Sequence, residues 1–434
     1  MANKKNIEIG IGVSYNKDPY EAAIEASKSS LENCPKPNLS IVYTNSEFDQ
    51  KKFLRGVNSV LGTNWIGVSA DKIFTSDSGY DTKIMISVLS IASEYIHFSV
   101  SVADDYRKNP QKRAYDAVKH AVENIQADKY VDAYIQFTRT KKKDYGNIIK
   151  NPPYFILTYI SGARIINDKP VAGKESEFIS GILEYTGPHI PVFGGSASSS
   201  FEEYFKNKAY NYQFANGKLY ENAAIVVFVV CNLHFTTLVA HGYFTTKDFA
   251  AITKVDNTGY EILEINGKEP ISEYARLIGV SKQNYLKNQS KYSLSRPFGL
   301  LQADGTTFVK EALPNPDNKT MHSTFHLHQN SIMNILDFNK KRTLETLKNS
   351  VDEMSKEKKS LQPELALFCC CSGRRPLVKN VESIDLNNLK KKYKSLPIFG
   401  FYSFSEVGSS KSSSAQSHSQ TVTSLMIYNE LLTD

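Results

Sequence analysis

Hydrophobic positions along this chain switch between two periods, and the switches mark its elements. Ile7, Ile9, Ile11 and Val13 alternate with Glu8, Gly10, Gly12 and Ser14, the period of a half-buried strand. Asp18 and Pro19 then open a helix, with Glu21 three residues after the cap. Leu39–Tyr43 reads as a second strand. Phe53, Val57 and Leu61 stripe a helix over 50–61. Asn109 and Pro110 open another helix, whose apolar face is Ala114, Ala117, Val118, Ala121, Val122 and Ile125. Residues 211–243 predict long antiparallel strands. Asn216-Gly217 turns between Tyr212–Phe214 and Leu219–Val230, and Asn266-Gly267 marks a second turn. Leu344, Leu347, Val351 and Met354 predict a helix near 340–355. The serine-dominated stretch 409–419 reads as a flexible loop before a last strand, Thr421–Tyr428.

One unit recurs. Leu39–Tyr43 leads through a helix to Trp65-Ile66-Gly67-Val68-Ser69. Phe155–Ile160 leads through a helix near 175–186 to Pro191-Val192-Phe193-Gly194-Gly195-Ser196. Leu365–Cys370 leads through a helix near 384–394 to Pro397-Ile398-Phe399-Gly400-Phe401-Tyr402. Each is a strand, a helix and a second strand carrying glycine, the pattern of a right-handed βαβ crossover. The glycine permits close backbone approach, either to a neighbouring strand or to a ligand. The expected fold class is therefore mixed α/β. Two related halves, residues 1–245 and 246–434, are built of βαβ units and mixed sheets, with antiparallel hairpins between them and a boundary within about 220–270.

Composition narrows the class. The 434 residues are 41% hydrophobic and 11% aromatic, as a folded body requires. The net charge of +7 is spread thinly. The lysine runs Lys141–Lys143, Lys356–Lys359 and Lys390–Lys392 read as solvated faces, not as a nucleic-acid stripe. Five cysteines, three of them the consecutive Cys369, Cys370 and Cys371, make no disulfide framework, and this suggests a reducing, cytoplasmic setting. The start of the chain shows no secretory signal. Its most apolar stretch, Ala223–Leu233, is too short for a membrane-spanning helix.

Several constellations could carry chemistry. Cys371-Ser372-Gly373-Arg374 ends a buried strand. Arg374 or the following Arg375 could hold a carboxylate bidentately, and a nearby guanidinium would favour a thiolate. His326 and His328 would share one face of a strand, the side-chain geometry of a metal pair, with His322 as third ligand; no cysteine or carboxylate is placed beside them, and no metal is assigned. His241 follows an apolar strand. Gly194-Gly195-Ser196 could offer backbone N–H groups to an anion, though its spacing is not that of a P-loop. Glu406 follows the third glycine strand and could meet an amine.

The run Phe193-Gly194-Gly195-Ser196, the Asn216-Gly217 hairpin, His241-Gly242-Tyr243 and Glu264–Pro270, followed by Cys371–Arg374, Gly400-Phe401-Tyr402 and Glu406-Val407-Gly408, resembles the FIST family in order and spacing over roughly residues 20–430. Family members often have glycine and aspartate where this chain has Ser198–Ser200, and glycine where it has Ser405. The resemblance implies an intracellular sensory module for a small ligand, with amino acids the favoured class. It offers no catalytic residues to carry over and no cofactor, and the dispersed lysines and short apolar run already argue against nucleic acid and membrane insertion. With no output domain recognisable, signalling would pass through a separate protein. On this reading Gly194, Gly195, Ser196, His241, Cys371, Arg374, Tyr402 and Glu406 line the ligand site, where the glycine strands converge. Arg374 takes the carboxylate and Glu406 the amine. The alternatives are an interaction scaffold without a ligand, and an enzyme with Cys371 as nucleophile.

Overall fold

A computed structural model describes residues 5–77, 85–125, 128–142, 146, 151–166, 169–171, 173–200, 210–302, 305–358, 360–409 and 413–433. Lys143, Lys359 and residues 410–412 of the serine stretch, all named above, lie outside the described residues.

The mixed α/β class is the expected one, and the three recurring units are the centres of three sheets with one strand order. In the first sheet Glu8–Ser14 runs antiparallel to Ile86–Ala92. That strand runs antiparallel to Leu39–Asn45, which is parallel to Trp65–Ala70. The second sheet repeats this order with Ile96–Ala103, Ala224–Cys231, Tyr154–Ile160 and Val192–Ser196. The third repeats it with Leu233–Ala240, Val422–Leu431, Pro363–Cys371 and Ile398–Ser403. Within each, a parallel pair needs a crossover, and a helix supplies it: Gln50–Leu61, Glu175–Thr186 and Val381–Lys392.

Local chemistry sets these elements. Asp18 accepts hydrogen bonds from the N–H groups of Tyr20 and Glu21 and opens helix Pro19–Asn33. Asn109 does the same for Pro110–Glu123 through Lys112 N–H. Period two places Tyr43, Tyr159 and Cys369 on the inner faces of their strands, in one shared core. Val42, Ile156 and Phe368 face outward against the helices. Each sheet is therefore buried on both sides, which explains the continuous apolar runs in the sequence.

The three sheets are locked by strand exchange. A short strand of each unit pairs antiparallel with the glycine strand of another. Gln213–Ala215 joins Trp65–Ala70, Glu406–Gly408 joins Val192–Ser196, and Ile73–Thr75 joins Ile398–Ser403. The exchange closes a ring. Where the inner faces meet, Tyr43 and Tyr159 share a hydrogen bond of 2.7 Å between hydroxyls, and Tyr43 stacks on Phe399 at 4.6 Å.

Two expectations are corrected. Leu219–Val230 is not one strand: Lys218–Tyr220 closes the Asn216-Gly217 hairpin in the first sheet, and Ala224–Cys231 starts afresh in the second. The two turn residues have φ of 51° and 70°, which Asn and Gly tolerate. The serine stretch 409–419 contains a strand, Gln416–His418, paired with Glu406–Gly408, and Ser417 and His418 are buried.

Between the first strand of the third sheet and its helices lies an inserted domain. Its sheet includes Tyr243–Val255, Glu261–Ile265, Phe298–Leu301, Thr307–Lys310 and Ser331–Phe338. Helix Pro270–Leu277 covers one face through Ile271 and Tyr274. This insertion forms clefts against the three-sheet body.

Candidate functional site

The structure brings some of the expected site residues together and separates others. Gly195 lies opposite Glu406 in the antiparallel register, with Cys369 and Ser403 packed against it. Glu406 is fully buried. Ser403 donates to its Oε1 at 2.7 Å, and the Thr421 hydroxyl to its Oε2 at 3.0 Å. Burial pushes its carboxyl up to about 8, against the pull of these bonds. Cys371 lies near by, and its thiol is raised well above the ordinary range by burial and by the Glu406 and Glu311 carboxylates. A nucleophile needs the opposite shift.

Gly194 is explained by backbone contact: a Cβ there would sit 1.8 Å from the Thr158 carbonyl oxygen. Ser196 donates to the buried Glu175 carboxylate at 2.6 Å. The N–H groups of Ser196, Ala197 and Ser198 donate to the carbonyls of Ser405, Ile160 and Ser69, so these three are spoken for by the protein itself.

Arg374 already holds a carboxylate. Its Nη2 is 2.7 Å from Asp385 Oδ2 and 2.6 Å from Thr343 O, and both charged side chains are buried. Tyr402 is buried, with its ring edge-on to Phe74 at 5.8 Å between centroids. Arg374 and Cys370 belong to the outer face of the third sheet, whereas Cys369 and Gly195 meet inside. His241 stands apart, at the insertion. Its Nδ1 accepts from Tyr243 N–H at 3.2 Å and its Nε2 donates to Thr307 O at 3.0 Å, so the neutral ring is fixed. Burial holds it down at about 4. It lines a cavity of about 480 Å³ with Arg342, Glu353 and the wall Leu238–Ala240.

A second cavity, about 450 Å³, has no residue from the expected set. It lies between helix Glu175–Thr186, the inserted domain and the chain at Ser414–Ser417. Lys310 lines it. The lysine is 4% exposed, and its Nζ donates to Ser417 O at 2.6 Å. No ion pair to Lys310 exists among the described residues. Its ammonium is 4.7 Å from the Phe325 ring centroid. Burial lowers it to about 7. His326 and His328 share the cavity, with ring centroids 4.9 Å apart. They lie in irregular chain and not on a strand, and among the described residues no cluster of three metal-binding side chains forms. Glu177 lines the cavity too, shared with Lys174 at 3.0 Å and with the hydroxyl of Tyr260. Ile179, Leu183, Leu300 and Met333 complete an apolar wall. The signal for Lys310 was present in Thr307-Phe308-Val309-Lys310: on a strand, Lys310 shares the face of buried Phe308.

The FIST N domain matches residues 38–268 and the FIST C domain residues 270–409. The chain belongs to the FIST family. FIST domains are sensory domains of signal transduction proteins. An uncharacterized protein of Methanocaldococcus jannaschii is 24% identical to this FIST chain over 200 residues. The match covers 43% of this chain and 36% of that protein, so the chain spans about a third of that relative's length. Among solved structures, a cyanuric acid hydrolase from A. caulinodans aligns over 98% of this chain and 100% of its own, with 5% identity and a TM-score of 0.37. A phosphoribosylformylglycinamidine synthase II from Thermotoga maritima aligns over 78% and 73%, with 10% identity and a TM-score of 0.21. Neither score supports an argument about function. No helix among the described residues of this FIST chain is long and apolar enough to cross a membrane.

Proposed function

We propose that this FIST chain senses a small carboxylate metabolite, an amino acid or a close relative, in the Lys310 cavity and passes its occupancy to a separate signalling protein. One observation carries the reading. Among the described residues, a buried ammonium on a cavity wall has a single backbone carbonyl as its hydrogen-bond partner, and a buried charge without a counter-ion is costly. A ligand carboxylate supplies that counter-ion. Glu177 and the imidazoles of His326 and His328 supply acceptors for an amine, and the apolar wall takes a side chain. Apolar side chains and polar groups share the lining, and a ligand pocket uses both, the first for burial and the second for orientation.

The geometry also suits signalling. The walls come from the second unit, the inserted domain and the end of the third unit, so a ligand tethers the insertion to the body. A ligand that binds one arrangement better shifts the population toward it. The buried state of Cys371 gives no support to a cysteine enzyme.

The test is a thermal-shift and calorimetric screen of amino acids and small carboxylates against the wild type and Lys310→Met. A ligand at a hundredfold excess over its dissociation constant adds about 2.7 kcal/mol of stability. We expect a shift confined to one carboxylate class and lost in Lys310→Met. Equal affinity for both proteins would remove the ligand from this cavity. Silence across the panel would favour the scaffold reading.

A further inference from the structure

We infer that Lys310 captures carbonyl compounds: its amine forms an imine with a small aldehyde or α-keto acid that enters the cavity beside His326 and His328. The inference rests on the cavity being the ligand site and names the chemistry that site performs.

Three features of the geometry support it. The first is the isolation of the amine. Lys310 Nζ has Ser417 O at 2.6 Å and the Phe325 face at 4.7 Å. Some lysines elsewhere have carboxylates in reach, as Lys254 has Glu264 and Lys392 has Asp352. A carboxylate partner keeps a lysine protonated, whereas desolvation without one favours the neutral, nucleophilic amine. Burial has that effect here, bringing Lys310 down to about 7.

The second is the imidazole pair on the same cavity. Burial lowers His326, with the neighbouring His328 adding to the effect, so a neutral ring that can relay protons faces the space where a carbonyl would sit. The third is the wall. Leu300 and Met333 make part of the cavity apolar, and displacing water favours the dehydrated imine over the carbinolamine.

The step is balanced within the ligand and the lysine. The Nζ lone pair adds to the carbonyl carbon and forms the C–N bond. The two amine hydrogens pass to the carbonyl oxygen, relayed by an imidazole, and that oxygen leaves as water as the C=N bond forms. No oxidant or reductant takes part. The reaction is reversible, as sensing requires.

The experiment treats the whole protein with glyoxylate or pyruvate at pH 7, reduces any imine with cyanoborohydride and maps adducts by peptide mass spectrometry. A urea-unfolded sample shows that the Lys310 peptide is detectable. We expect a reduced adduct on Lys310 ahead of the exposed lysines, no such adduct in Lys310→Met, and slower capture in a His326→Asn, His328→Asn double variant. Adducts scattered over exposed lysines, with Lys310 untouched, would overturn the proposal. Amino acids that stabilise the wild type but not Lys310→Met, with no trapped adduct, would overturn carbonyl capture alone and leave the ligand site standing. Neither stabilisation nor adduct would overturn both.

Discussion

Arg374 and Asp385 form an ion pair at 2.7 Å with neither side chain open to water. Arg374 ties the turn after strand Pro363–Cys371 to helix Val381–Lys392 and, through Thr343 O, to the chain ahead of helix Thr346–Glu357. Burial pushes the Asp385 carboxyl up, while Arg374 pulls it down. Removing one partner leaves a buried charge alone, which costs about 3–5 kcal/mol. Arg374→Ala is therefore expected to lower the urea midpoint sharply. The joint replacement Arg374→Met with Asp385→Leu is expected to recover most of that loss. If Arg374→Ala is as stable as the wild type, the pair is not structural and Arg374 returns as a ligand contact.

Lys310 sets the opposite expectation. In the unfolded chain a lysine holds its proton up to about 10.5, and in the folded protein Lys310 releases it near 7. Between these values the unfolded state binds more protons, so this group makes stability climb with pH through the window. Below pH 7 its cost is present in full. Lys310→Met keeps the stem, removes the charge and is expected to melt above the wild type at pH 6–7. The gap should close as pH rises toward 10. Melting curves of both proteins across that range check it, and a gap that stays constant would show that Lys310 is charged and paired throughout. His418, buried near by and held at about 3, stays neutral over the range.

Glu406 has the contrary sign. Its folded value is about 8 against an ordinary 4.5, so the folded state binds more protons between them. Stability from this group is lost as pH rises through that window. Glu406→Gln removes the charge, keeps one acceptor oxygen in place of two, and should be more stable than the wild type above pH 8. Because Glu406 and Lys310 act against each other between pH 7 and 8, the two variants separate what the wild-type profile mixes. Identical pH slopes for Glu406→Gln and the wild type would mean that the carboxylate is charged in the fold.

Gly194→Ala places a methyl 1.8 Å from the Thr158 oxygen, a backbone atom that cannot swing aside. The parallel pair of the second sheet would have to part, at a cost of about 4 kcal/mol or more. Gly267→Ala tests a different cause. Nothing lies within 4 Å, but φ is +72°, so the loss should be smaller, on the order of 1 kcal/mol. Chemical denaturation of both variants ranks them, and the reverse order would refute the packing account.

All five thiols are buried, and burial raises each, Cys34 to about 11 and Cys231 to about 12. A thiol reagent at pH 7 should leave the native protein unmodified over hours and label all five after denaturation. Rapid labelling of Cys371 in the native state would revive the nucleophile.

The amino-acid sequence determined the local elements and their repetition. Caps at Asp18 and Asn109, turns at Asn216-Gly217 and Asn266-Gly267, and the alternation over residues 7–14 are short-range effects, so they were legible. The three βαβ units and the ordered FIST motifs were legible for the same reason. The assembly was not. Strand exchange among the units, the break of Leu219–Val230 between two sheets, and the strand Gln416–His418 depend on partners far away in the chain. The candidate site depends on them too. Arg374 looked free for a ligand because Asp385, eleven residues on, meets it only through the return of a helix. The pattern of Thr307–Lys310 could place Lys310 on the Phe308 face, but only the insertion, helix Glu175–Thr186 and the segment Ser414–Ser417 made that face a cavity wall. A side chain's chemistry is set by what surrounds it, and for these residues the surroundings come from the tertiary fold.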